Sequence, residues 1–328
     1  MGFKTGSFIS VGNRGLNPTI SLARTRRVEN PVWNFTLPHT FQGTVAGYTS
    51  GGNVTPAGTN IIDKFPFATD ANATDVGDLS SNRQQLAGQS SGVSGYSSGG
   101  APPPNGINII DKFPFATDAN ATDVGDLTVA RRDAAGQSSD ASGYTSGGYV
   151  SVASNVIDKF PFASDSNATD VGDLTVVRQG PAGQSSTVSG YTSGGSTPTG
   201  NPSSNIIDKF PFASNANATD VGDLTVDRYF TTGQSSTVSG YTSGGSPSSN
   251  IIDKFPFASN ANATDVGDLT VGRYSTAGQS STVSGYNSGG APFPRKNIID
   301  KFSFASDGNA TDVGDLTSAR LQATGQQD

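Results

Sequence analysis

Cysteine is absent from the 328 residues, so neither disulfides nor thiolate metal sites can contribute to the fold. Histidine, tryptophan and methionine occur once each, as His39, Trp33 and Met1. No apolar run approaches the ~18 residues of a membrane span. No segment carries a helical period of 3.6 over about ten residues, so helices are not expected. The opening stretch M-G-F-K-T-G-S-F-I-S lacks the apolar core and cleavage pattern of a signal peptide. The expectation is synthesis in a cytoplasm and, for a protein that leaves it, exit by lysis or within a particle. Charged residues are also few, at 14%.

Glycine, by contrast, is plentiful: 42 residues, which with 33% apolar residues is compatible with a folded chain rather than a linker. The phrase N-I-I-D-K-F-P-F-A organises the sequence. It starts at Asn60, Asn108, Asn155, Asn205, Asn250 and Asn297, with Val156 and Ser303 as single departures. Its aspartates, Asp63, Asp111, Asp158, Asp208, Asp253 and Asp300, lie 48, 47, 50, 45 and 47 residues apart. A period of this size denotes a solenoid, a propeller or an array. Each unit breaks at Gly, Asn, Asp, Ser or Pro into about four strand-sized pieces joined by tight turns. The fold class is therefore all-β.

The ends decide between an open and a closed array. The last repeat stops within G-Q, at Gly325-Gln326-Gln327-Asp328, and its missing G-Y-T-S-G-G element stands near the other end as Gly47–Gly52. A solenoid has independent end caps and no use for such a split, whereas a ring is locked by it. The expectation is a six-bladed β-propeller of four-stranded blades over 43–328, closed by an N-terminal strand. Gly47, Tyr48, Gly51, Gly52, Arg320 and Gly325 would make the closure.

Within the phrase, alternation places Asp63, Phe65 and Phe67 on one strand face and Lys64 and Pro66 on the other. Paired phenylalanines should pack blade on blade. Proline and lysine together suggest a blade edge or a bulge at the proline. The Gly-Gly pairs suit positive φ or close backbone approach at a strand end.

The order D-L-T-V-x-R, a small-residue strand, G-Y-T-S-G-G, a variable loop and I-I-D-K-F resembles a kelch repeat. Arg83, Arg131, Arg178, Arg228, Arg273 and Arg320 match its arginine, and Tyr48, Tyr96, Tyr144, Tyr191, Tyr241 and Tyr286 match its aromatic. The later kelch tryptophan is replaced by A-T-D-V-G-D-L. The near-verbatim phrase also resembles repeats in virion proteins of tailed marine phages of the cyanophage type. That second resemblance implies a non-enzymatic structural or interaction protein of the virion, tail- or capsid-associated and present in multiple copies in a symmetric assembly. A glycan-recognising adhesin or receptor-binding propeller is the alternative.

Catalysis requires one constellation of acid, base or nucleophile. Here Asp and Arg recur in every unit and suit ion pairs within or between blades, so no catalytic residue is expected. The loop Asp70–Asp78 spaces oxygen ligands as calcium loops do, without the EF-hand spacing or its late Glu. Asx turns account for the same residues, and neither metal nor cofactor is expected. The N-A-T sequons at Asn72 and its repeats matter only on a secretory route.

Residues 1–42 stand outside the repeat and read as an irregular arm. Residues 1–40 carry a net charge of +4, against −11 for the remainder. Arg24, Arg26, Arg27, Trp33 and Phe35 are its candidate docking residues, toward other virion proteins rather than nucleic acid. A solvated basic turn, or contact with the acidic body, accounts for the same arginines. Differences among units mark exposed loops. They fall between Gly-Gly and N-I-I and just after the arginine, which makes Tyr149, Tyr229, Phe230, Tyr274 and Phe293 candidates for a binding face toward host glycan or protein. Isolated exposed aromatics are the plainer alternative.

Overall fold

The computed structural model describes residues 41–54, 57–102, 106–198 and 203–328. The chain divides into two units, Met1–Leu37 and Pro38–Asp328. The described residues belong to the second, a ring of six four-stranded antiparallel sheets with no helix among them. This is a six-bladed β-propeller. The closing blade runs, from axis to rim, Thr324–Gln327, Ala46–Ser50, Ile61–Pro66 and Thr74–Asp78, so both ends of the repeat array share one sheet. Gly47 pairs with Gln327, Tyr48 with Gln326, Thr49 with Gly325 and Ser50 with Thr324. The expected closure is the observed one.

Six innermost strands surround the axis: Ala87–Ser90, Ala135–Ser138, Ala182–Ser185, Thr232–Ser235, Ala277–Ser280 and Thr324–Gln327. Their composition follows from how closely they meet. A Cβ on Gly88, Gly136, Gly183, Gly233, Gly278 or Gly325 would lie 2.0–2.4 Å from the carbonyl oxygen of the preceding glycine in the ring. Backbone cannot yield by that much, so only glycine fits. The next residue but one from each small residue is a glutamine that reaches outward. Gln89 Nε2, for example, donates to the Tyr144 carbonyl and Thr145 Oγ1 of the next blade and to Ser98 Oγ of its own. Gln326 does the same with Tyr96, Ser97 and Ser50, which carries the pattern across the closure.

Farther out, aromatic rings fill the space between blades. Gly47 lacks the side chain that would meet the Phe65 ring at 2.4 Å. Tyr48 stacks on Phe115 at 5.0 Å and lies tilted to Phe113 at 5.4 Å, both from the neighbouring blade. Equivalent trios recur around the ring. Ile62 and Leu79 are buried beside them. Each such ring contributes a few kcal/mol through buried apolar area.

The linkers between blades are fixed by the repeated aspartate. Asp63 accepts from the Thr317 backbone N–H and hydroxyl at 3.0 and 2.7 Å and pairs with Arg320 at 2.7 Å. Arg320 also donates to the Thr49 carbonyl. All six arginine–aspartate pairs, at 2.5–3.0 Å, are essentially inaccessible to water. Burial draws these arginines below their usual value while the aspartates oppose it, and guanidinium stays charged from so high a starting point. Thr317 becomes Ser80 in the linker clamped by Asp111, whose Oδ1 is left without a hydrogen bond.

The edge assignment of I-I-D-K-F-P is corrected. This strand is third of four, paired on both sides, and the bulge lies between Ile62 and Asp63 rather than at Pro66. Pro66 is tolerated because it is the last residue of the strand, past the final outer pair Lys64–Thr74. Lys64 is accordingly not an edge guard but reaches Asp118 of the adjacent blade at 3.2 Å. The true edge, Thr74–Asp78, is covered by the next blade's loop: Asn120 Oδ1 accepts from Asp78 N–H and Ala121 N–H donates to the Asp78 carbonyl.

Two outcomes test this architecture. Deleting residues 1–52 removes the second strand of the closing blade, and Tm should fall sharply in a thermal melt; an unchanged Tm would mean that the ring does not depend on this closure. Gly183→Ala should destabilise by at least about 3 kcal/mol in urea titration, since the added carbon must displace backbone. A loss below about 1 kcal/mol, the usual glycine-to-alanine range, would contradict the tight axial packing.

Candidate functional site

At the mouth where the innermost strands begin, one residue from each linker turns toward the axis. Gln85 N–H donates to the Gln322 carbonyl, Gln322 to Ser275, Ser275 to Phe230, Phe230 to Gly180, Gly180 to Asp133, and Asp133 to Gln85. These 2.7–2.9 Å bonds close a circle around the axis. All its members have φ between +53° and +63°. For a non-glycine residue this left-handed backbone costs about 1–2 kcal/mol, comparable with the ~0.5–1.5 kcal/mol a hydrogen bond returns.

Because backbone forms the circle, its side chains are unconstrained, and they differ at nearly every position. They enclose a cavity of about 70 Å³ with Leu86, Ala134, Pro181 and Thr231 beneath, room for a few waters. The Phe230 ring leans over Gly180, where a Cβ would meet it at 2.6 Å. Gln85 Nε2 donates to Asp133 Oδ2 at 2.8 Å, and Arg132 Nε lies 3.9 Å from the same oxygen. Burial raises the Asp133 carboxyl to about 6, against the opposing pull of Gln85 and Arg132. The Ser275 and Thr231 hydroxyls are buried and have no partner.

Outside this circle the two variable segments of each unit meet. Arg132 bridges Tyr149, Tyr229 bridges Ser246, and Tyr274 bridges Ala291. Tyr149, Tyr229, Phe230 and Tyr274 are half-buried, and Phe293 is 84% exposed. The sequence-derived aromatics therefore share one end of the ring, with Phe230 on the axis and Tyr229 beside it at 5.0 Å. Asp133, Ser275 and Gln322 were not singled out by sequence. Length and residue variation after the arginine was their only signal.

The opposite mouth is built differently. Phe41 lines the axial cavity of about 130 Å³, and its carbonyl accepts from Gln327 Nε2 at 2.6 Å. Gly43 bonds to Ser280 and Thr282. The hairpins around this mouth project Val45, Val93, Val188, Val238 and Val283, each 54–71% exposed. The first described residue, Phe41, stands at this mouth. The arm residues Arg24, Arg26, Arg27, Trp33 and Phe35 lie outside the described residues.

In the acidic loops, Asp70 pairs with Lys301, Asn72 receives the Asp315 N–H, and Asp75 receives the Gly77 N–H in an Asx turn. Asn215 and Asn260 replace the first aspartate in two units, and the facing lysines Lys159 and Lys209 lie over Tyr144 and Tyr191, as Lys64 lies over Tyr48. No helix among the described residues is long and apolar enough to cross a membrane. In comparison with known proteins, no family model matches the chain, and no curated protein matches it in sequence.

Asp133 gives a pH-dependent stability. Its raised carboxyl binds a proton more tightly folded than unfolded, so stability is lost as pH rises from about 4 to about 6 and stays lower above. Asp133→Asn, which suits positive φ, should raise stability at pH 8 by on the order of 1–3 kcal/mol. That gain should vanish near pH 4. Chemical denaturation at both pH values checks it, and a gain equal at the two would refute a buried, proton-binding carboxyl.

Proposed function

We propose that this kelch-like propeller is a non-enzymatic interaction protein of a phage virion, attached through its N-terminal arm and presenting its variable loops outward. One observation carries the reading: variation among units gathers at one mouth, while Phe41, the first described residue, stands at the other. Binding faces of repeat proteins are where per-unit differences collect. The exposed valines around the Phe41 mouth add an apolar surface, as an attachment face requires. The buried arginine–aspartate pairs support a non-catalytic role, since no substrate can reach them. The virion assignment rests on the likeness of the repeat to phage structural proteins.

The arm supplies reach and charge. Fully extended, ~40 residues span about 130 Å, and Trp33, Phe35 and the Arg24, Arg26 and Arg27 cluster are anchor types. Removing residues 1–40 should leave a soluble propeller with near wild-type Tm that no longer enters particles. Replacing the three arginines together should weaken attachment and flatten its salt dependence. Particle incorporation by the truncated protein, or its outright unfolding, would overturn the attachment role.

A further inference from the structure

The exposed valines at the Phe41 mouth are not required by the turns that carry them. Ser91 Oγ accepts from the Val93 and Ser94 N–H groups and donates to the Ser94 carbonyl, and Phe115 N–H donates to the Val93 carbonyl. Ser186, Ser236 and Ser281 hold Val188, Val238 and Val283 in the same way. Ser139 makes the same bonds around Ala141, so the turn has no need of a branched apolar side chain. Polar residues are the usual occupants of turn tips. These four valines and Val45 are nevertheless 54–71% exposed. The tips are also almost free of charge. Gly92, Thr187, Thr237 and Thr282 precede the valines, and Asp140 is the one ionisable residue at the five turn tips.

We propose that this circle of valines is an interface with a second copy of the chain, the two rings meeting mouth to mouth. At roughly 100 Å² apiece, the five valines offer on the order of 500 Å² of apolar surface. The exposed threonines beside them bring the circle near the ~800 Å² that each partner of a standard interface contributes. Charge favours this route of approach. A chain of net charge −7 repels its own copy, and contact costs least through tips that carry a single carboxylate among them. Shape favours the same partner. The tips recur once per blade, so a facing ring turned by half a blade seats each tip between two of its partner's. Such a contact is isologous and closes at two copies, with the variable mouths facing away from each other. This names what covers the apolar face that the attachment reading invokes. Association of the purified chain is measured without particles, so the two can fail separately.

The test is sedimentation of the purified full chain between about 1 and 100 μM, the range in which a dimer of this size and polarity should dissociate. A monomer–dimer equilibrium is expected. Val188→Glu combined with Val238→Glu places like charges in the circle and should raise the dissociation constant at least about a hundredfold. Phe293→Ser, at the opposite mouth, should dimerise as the wild type does, and circular dichroism should report one fold for all three. A monomer at about 100 μM overturns the proposal. So does a dimer that the double glutamate variant retains, or one lost on Phe293→Ser. A mass that keeps growing with concentration marks an open, head-to-tail contact and overturns it equally. A full chain that stays monomeric and dimerises only once residues 1–40 are removed gives the circle to those residues, which also overturns it.

Discussion

Close approach of backbones at the axis is the constraint on which the ring depends. Gly88, Gly136, Gly183, Gly233, Gly278 and Gly325 each lie against the carbonyl of the one before, with no space for a methyl group. Strands this close cannot pack through their own side chains. Attachment between blades is therefore passed outward, first to the glutamines that donate across each gap, then to the tyrosine–phenylalanine trios beyond. The small-residue strand, the glutamine and the aromatic layer are one solution to one geometric problem, and this explains why they vary so little among units.

Imperfect copies show which contacts the ring tolerates losing. Ser80 in place of threonine leaves Asp111 Oδ1 unbonded in the interior. Asn287 occupies a position held elsewhere by threonine or serine, and Gln234 keeps only the Tyr286 carbonyl across that gap. Asn287 turns instead to Ser243 at 2.6 Å and leaves its own Oδ1 without a partner. Each defect is worth about 1–3 kcal/mol. A ring with a complete set of such contacts in its other blades absorbs them. The arginine–aspartate clamps have no exceptions, consistent with the roughly 3–5 kcal/mol that an orphaned buried charge costs.

Much of this was legible in the sequence because periodicity and the split repeat report on backbone topology directly. Blade number, strand number and closure all follow from where N-I-I-D-K-F and G-Y-T-S-G-G stand. The position of the proline strand did not follow. Pro66 argues for an edge only if its missing N–H falls within a ladder, and alternation alone does not reveal that the outer ladder ends at Lys64. The axial circle was hidden for a different reason. Positive φ is usually announced by glycine or asparagine, but Gln85, Phe230, Ser275 and Gln322 adopt it here under backbone hydrogen bonding.

That hidden circle explains how an almost invariant ring carries a mouth unlike itself. Side chains that hold a structure together cannot change freely, as the glutamine and aromatic layers illustrate. At Gln85, Asp133, Gly180, Phe230, Ser275 and Gln322 the cohesion comes from N–H and carbonyl groups that every residue but proline possesses. Side-chain identity is thereby released from any structural duty except tolerance of φ near +60°. A carboxylate, an aromatic ring, a hydroxyl and a bare glycine can then stand at equivalent positions without breaking the circle. The fold fixes where these residues stand around the axis and leaves their chemistry to be set one residue at a time.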